Sequence, residues 1–244
     1  MFKRILKRWR WIVAGLVTLL VGVVVTGWLL FQHIPAWYRP VQVPPDELQH
    51  VRNDLVQTTD AFGAALNDAQ GSFKFRLTQD QVNAWLSARE SIDPKTHEWL
   101  PPTLSDPMIL FEPGGVRVAA TYADGDLRTV VSAKLTVTVD AAGIKAQLGD
   151  VAGGSLTMPD SFVQKGLRAF DRRVSPKLAD AGVTTSGRQR LRLRDLADGV
   201  ILPTTGKWLA GGQRFRVLGI AFEPGAVTFT IERLPYQSDH LLFP

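Results

Sequence analysis

The residues able to do chemistry are few and scattered. The 244-residue chain holds four histidines, His33, His50, His97 and His240, and no cysteine. No two of the histidines stand at metal-ligand spacing and no HExxH occurs, so neither a zinc hydrolase site nor thiolate chemistry is expected. Gly153-Gly154-Ser155-Leu156-Thr157 begins like the Gly-x-Ser-x-Gly elbow of serine hydrolases but lacks its last glycine. Glycines that permit a tight bend before Pro159 account for it without catalysis. There is no Walker A sequence, and no G-x-G-x-x-G stands between a strand and a helix. Asp124-Gly125-Asp126 sets carboxylates close together, as a calcium loop would, but the rest of an EF-hand is missing and a polar turn is expected. The chain is therefore expected not to be an enzyme and to carry no metal or cofactor.

Arg188, Arg190, Arg192 and Arg194 recur at period two, so on a strand they share one face, with Leu191 and Leu193 on the other. With Arg168, Arg172, Arg173 and Lys177 they are candidates for contact with lipid phosphates or an anionic envelope polymer. An edge strand kept from aggregating by its charges fits the same pattern. Asp171, Asp180 and Asp195 blunt the field, which favours that second reading. Asn83, inside an amphipathic pattern, has three readings: contact with a sheet backbone, contact with a ligand head group, or a solvent-facing or capping-related place. The last is the one the sequence favours.

Charge locates the chain rather than a binding face. Lys and Arg number 28 against 23 Asp and Glu. Five of the basic residues (Lys3, Arg4, Lys7, Arg8, Arg10) fall in the first ten positions, and without them 23 face 23. The basic excess is a tail, which argues against nucleic acid as a partner. Residues 11–31 then run without a charge, about the 20 residues needed to cross a bilayer core. Trp9 and Trp11 flank one end and Trp28, Trp37 and Tyr38 the other, as interfacial anchors do. A signal peptide's apolar region is shorter and ends at small residues, unlike Trp28–His33. An uncleaved, single-pass anchor in the cytoplasmic (inner) membrane is expected, its N-terminus in the cytoplasm and the remainder outside.

The expected organisation is a basic tail (1–10), a transmembrane helix (11–31), a proline-rich stalk (32–45) and an extracytoplasmic domain (46–244). Leu48, Val51, Leu55, Phe62, Leu66 and Ala69 mark a helix over about 46–70. Phe73, Phe75 and Leu77 alternate with Lys74 and Arg76 as a strand. Thr78 and Gln81 form a capping box for the helix bearing Val82, Trp85 and Leu86. A proline-studded loop is expected at about 93–107. Three alternating strands follow, with Val116, Val118, Ala120 and Tyr122, then Ala133, Leu135, Val137 and Val139, then Ile144, Ala146 and Leu148 on their dry sides. A helix after Pro159 places Phe162, Leu167 and Phe170 on its apolar side. Ile109–Val116 and Ile220–Val227 echo one another around Pro-Gly, so both segments are expected to be hairpins.

The strand-to-helix run FKFRLTQDQVNAWL, the strand series about 109–148, DVAGGSLTMPDSFVQKGLRAF and the closing FRVLGIAFEPGAVTFTIERL, behind an N-terminal anchor, together resemble the YpmS-like family of bacterial membrane-anchored proteins. More distantly they look like tubular lipid-binding (TULIP) domains. The resemblance implies an α+β domain, a curved antiparallel sheet packed on one or two long amphipathic helices, with an apolar interior that admits lipid. It supplies no catalytic residues. Val116, Val118, Tyr122, Leu135, Val137, Val139, Phe162, Leu167 and Phe170 are the candidate lining of such a cavity, with ordinary core packing as the plainer reading of each. The functional expectation is an anchored domain that binds or passes lipid; the alternative is an envelope scaffold with a packed core that contacts other envelope proteins.

Overall fold

Among the described residues the longest element is a helix of 31 residues, α1 (Phe2–Gln32). Its segment Gly15–Gln32 carries no charge and none of it is buried in the protein, so it is long and apolar enough to cross a membrane. The computed structural model describes residues 2–98, 100–159, 161, 163, 164, 168, 195–208 and 211–235. Phe162, Leu167 and Phe170 of the helix expected after Pro159, and the arginine series Arg188, Arg190, Arg192 and Arg194, lie outside the described residues.

Beyond α1 the described residues are α+β, with two antiparallel sheets. A four-stranded sheet has the order β1-β10-β9-β8, from β1 (Ser72–Thr78), β8 (Thr205–Lys207), β9 (Arg214–Glu223) and β10 (Ala226–Arg233). The second sheet runs β2-β3-β4-β5-β6, with β7 also paired to β5. Its strands are β2 (Leu104–Glu112), β3 (Gly115–Asp124), β4 (Leu127–Asp140), β5 (Gly143–Gly153), β6 (Leu156–Thr157) and β7 (Val200–Leu202). Helix α2 (Leu48–Asp68) precedes β1, α3 (Gln79–Ile92) follows it, and the short α4 (Asp195–Asp198) precedes β7. Both Pro-Gly echoes are hairpin turns, β2–β3 and β9–β10, with Gly114 and Gly225 at φ near +80° (78° and 80°), where a type II turn needs a residue without a Cβ.

Strand β2 starts earlier than the proline-rich sequence predicts. Asp106 and Pro107 form an irregularity inside it, between Ser105 and Met108, with Asp106 at φ 50°. A proline has no N–H to give the ladder, so it is tolerated where pairing is already interrupted.

The strand faces divide differently from the expectation. On β3 the buried side chains are Ala119 and Thr121, matched across β4 by Ser132 and Val130. Val118 is 45% exposed, and Val116 and Tyr122 are only half-buried. The reason is what covers the sheet. The segment after α1 lies on it and inserts Tyr38, which is 7% exposed and clusters with Met108, Ala119 and Val130. Small side chains leave room for the ring. The Tyr38 hydroxyl donates to the Asp106 carbonyl at 2.7 Å and lies 2.9 Å from Thr121 Oγ1. Trp37 sits beside it with the Arg117 guanidinium 5.6 Å from the ring centre. Trp37 and Tyr38, expected as interfacial anchors, thus seat the stalk on the sheet. Toward the other end of β4 the expected face does turn inward: Leu135 packs with Ala146, Val200, Leu196 and Leu202, and Thr136 and Thr138 are exposed.

Candidate functional site

The four-stranded sheet turns its aromatic face toward α2. Phe73, Phe75 and Leu77 on β1 pair with Ile231, Phe229 and Val227 on β10, so all six share one side. Helix α2 answers with Val51, Phe62 and Leu66, the last 0% exposed. Phe62 is the hub: its ring centre lies 4.8 to 6.0 Å from those of Trp208, Phe75, Phe215 and Phe73. Such tilted and edge-on pairs each contribute about 0.5–1.5 kcal/mol beyond burial, which makes the cluster a rigid wall.

Next to this wall the packing leaves a cleft of about 350 Å³. Leu55, Thr58, Thr59 and Phe62 of α2 form one side, and Phe75 and Leu77 of β1, Phe229 and Ile231 of β10, and Phe215 and Val217 of β9 form the floor. Trp85 of α3 and Trp208 complete the lining. Among the described residues no charged side chain lines it. The Thr59 hydroxyl is turned back on its own helix, donating to Leu55 O at 2.7 Å, so the surface presented is almost wholly apolar. The volume stands near the lower end of the roughly 300–1,000 Å³ typical of ligand sites.

Helix α3 sets Trp85 in place through the open edge of β2. The Ile109 N–H donates to Asn83 Oδ1 at 2.8 Å, and Asn83 Nδ2 donates to Ile109 O at 2.9 Å. One turn earlier, Gln79 Oε1 accepts from the Phe111 N–H at 3.0 Å. Residues four apart on a helix rise about 6 Å and residues two apart on a strand about 6.6 Å, so two amides at i, i+4 match two successive edge positions. The next such position on β2 would be Pro107, which has no N–H to give. Asn83 is 3% exposed; the solvent-facing reading is overturned because its amide completes a sheet edge. The capping box at the start of α3 forms in both directions between Thr78 and Gln81. Trp85 then donates its Nε1–H to Asp54 Oδ2 of α2 at 3.1 Å, bridging the helices at the end of the cleft.

The other residues singled out in the sequence go elsewhere. Val116, Val118, Tyr122, Leu135, Val137 and Val139 belong to the six-stranded sheet, and none lines the apolar cleft. Gly153, Gly154 and Ser155 receive the end of α1. A Cβ on Gly154 would stand 2.2 Å from Phe31 O, so only glycine allows the approach. Ser155 N–H donates to Leu30 O at 2.9 Å, Thr129 Oγ1 donates to Phe31 O, and Ser155 Oγ is 2.8 Å from His33 Nδ1. These donors satisfy carbonyls that a helix leaves open at its C-terminus. The negative end of a helix dipole opposes an oxyanion, so the Ser155–His33 pair stands in the wrong field for acyl transfer. Asp124 and Asp126 flank the β3–β4 turn, and among the described residues no cluster of three His, Asp or Glu could hold a metal.

Titration is perturbed around the stalk. Burial pushes the Tyr38 phenol above its ordinary value of 10.0, aided by Asp106 and opposed by the Thr121 hydrogen bond. The Arg117 hydrogen bond holds Glu112 below 4.5, against its own partial burial and with Lys134 assisting. Arg117 Nε reaches Glu112 Oε1 at 2.7 Å and Lys134 Nζ reaches Oε2 at 3.4 Å.

Sequence reasoning named most of the phenylalanines but offered residues of the other sheet as the candidate lining, with core packing as the plainer reading, and it missed Trp208, which stands in a stretch without periodic pattern. Comparisons of the chain with protein families, with curated proteins and with solved structures each find no match.

Proposed function

We propose that this protein is a single-pass, membrane-anchored domain on the outer side of the cytoplasmic membrane that takes the apolar part of a lipid into the cleft between α2 and the four-stranded sheet. The observation that carries the reading is the cleft itself, about 350 Å³ walled by aromatic and aliphatic side chains with no charge among the described residues that line it. A second support is the uncharged helix Gly15–Gln32 behind a basic tail, which would keep the cleft beside a lipid reservoir. The kinship read from the sequence, YpmS-like and TULIP-type, is part of the same proposal. So is its architecture of a curved sheet wrapped on long amphipathic helices. The domain needs no catalytic group for such a role.

A scaffold role has one specific observation in its favour. The end of α1 and the stalk are fastened to the six-stranded sheet through Thr129, Ser155 and Tyr38, a mount suited to holding a domain at a fixed attitude to the bilayer.

The test uses the full chain in nanodiscs of saturated lipid. A bromine-labelled twelve-carbon alcohol should quench the fluorescence of Trp85 and Trp208, and the quenching should fall in a Trp85→Phe, Trp208→Phe double variant. Saturable binding supports the lipid reading; quenching that tracks only the bulk bilayer concentration supports the scaffold. Because the chain has no cysteine, Ala141→Cys in the exposed β4–β5 turn reports topology, and labelling by an impermeant maleimide from outside protoplasts is the expected result.

A further inference from the structure

We infer that the cleft selects an uncharged single-chain lipid with a hydroxyl head over ionised fatty acids and phospholipids, and that Asp54 sets this preference. The inference rests on the lipid reading of the cleft. An anionic head needs a cation or a row of N–H donors to replace its water. Among the described residues the cleft lining offers neither: its polar side-chain atoms are the Thr58 and Thr59 hydroxyls and the indole nitrogens of Trp85 and Trp208.

The two ends of the cleft differ. Toward Phe62 it is stopped by the ring cluster and by the fully buried Leu66, so an alkyl terminus belongs there. Asp54 is not itself part of the lining; it precedes Leu55, one helical turn before Thr58 and therefore on the same side of α2, and it is hydrogen-bonded to the lining residue Trp85. Its Oδ2 accepts from Trp85 at 3.1 Å, and a carboxylate retains further lone pairs for a second donor. Among the described residues no Lys or Arg lies within ion-pair distance of Asp54. An alcohol donates to this carboxylate; a carboxylate or phosphate brought to the same place is repelled by it.

The experiment measures 1-dodecanol and dodecanoate of equal chain length at pH 8, where the acid is ionised, by displacement of the brominated alcohol from the full-length protein in nanodiscs. The wild-type protein is expected to hold the alcohol more tightly by about tenfold or more, the scale of a like-charge contact at a partly wet site. Asp54→Asn keeps an acceptor for Trp85 and is expected to shrink the ratio toward one, while Asp54→Lys reverses it. Equal or tighter binding of dodecanoate by the wild type, or a ratio unmoved by both substitutions, overturns the inference and leaves the lipid reading intact. If neither compound displaces the probe from a protein that does quench saturably, the inference also fails. If no saturable quenching occurs at all, the lipid reading falls with it.

Discussion

Under the stalk, the six-stranded sheet buries Ala119, Thr121, Ser132 and Val130, whereas the four-stranded sheet meets α2 with Phe73, Phe75, Phe215 and Phe229. Small side chains let a covering segment come close to the backbone, and the gap is filled by one Tyr38 ring whose hydroxyl has partners waiting. Large flat rings meet α2 at tilted and edge-on angles and do not tile the space, so a cleft remains beside them. Two sheets of the same antiparallel type therefore reach different ends: one is filled by the segment laid on it and the other keeps a cleft.

The contrast breaks most readily at the hub of the rings. Phe62→Ala is expected to cost about 3–5 kcal/mol, read as a lowered urea midpoint, since a buried ring and its four partners are lost together. A loss below about 1 kcal/mol would mean the ring cluster is not core. Next in size is Asn83→Leu, which leaves the Ile109 N–H and C=O without partners at a buried edge and should cost about 1–3 kcal/mol. Because α3 also carries Trp85, probe affinity should drop in the same variant.

A matched pair sharpens the comparison. Ala119→Leu has no space to enter and should cost about 1–3 kcal/mol by overpacking. Thr58→Leu points into the cleft and should change stability by about 0.5 kcal/mol or less while weakening probe binding. Equal costs at the two sites would erase the distinction between the filled sheet and the one with a cleft.

The smallest effect is in pH. Tyr38 has a folded pKa above its unfolded value of 10.0. Between the two the unfolded chain has lost the proton that the native one keeps, so stability is full below pH 10 and declines as pH rises through the folded value. Glu112 works in the opposite window: its contribution is present above pH 4.5 and is lost as pH falls through its lowered native pKa. Tyr38→Phe should flatten the alkaline limb of a urea-midpoint profile and leave the acid limb unchanged.

Much of the scaffold was legible. The Pro-Gly turns, the Thr78–Gln81 box, the β1 alternation and the α2 stripe all depend on neighbours in sequence, where periodicity and turn chemistry act. What failed was the choice between faces. Val118 looks dry and Ala119 and Thr121 look wet in a list of residue types, yet Tyr38, more than 80 positions away from Thr121 (83), decides which side is covered. Asn83 was misjudged for a related reason, since only the approach of β2 shows that a buried amide has two backbone partners there. The cleft was missed because it is a shortfall in packing between α2 and β9–β10, which no local pattern encodes.

The most direct measurement is photocrosslinking of the full-length protein in nanodiscs with a twelve-carbon alcohol bearing a diazirine at its far end, followed by peptide mapping. Adducts concentrated on residues 55–62, 73–77 and 215–231, and lost when unlabelled 1-dodecanol is added, are what the account predicts. Adducts spread over 116–139, or confined to α1 whatever competitor is present, would contradict it.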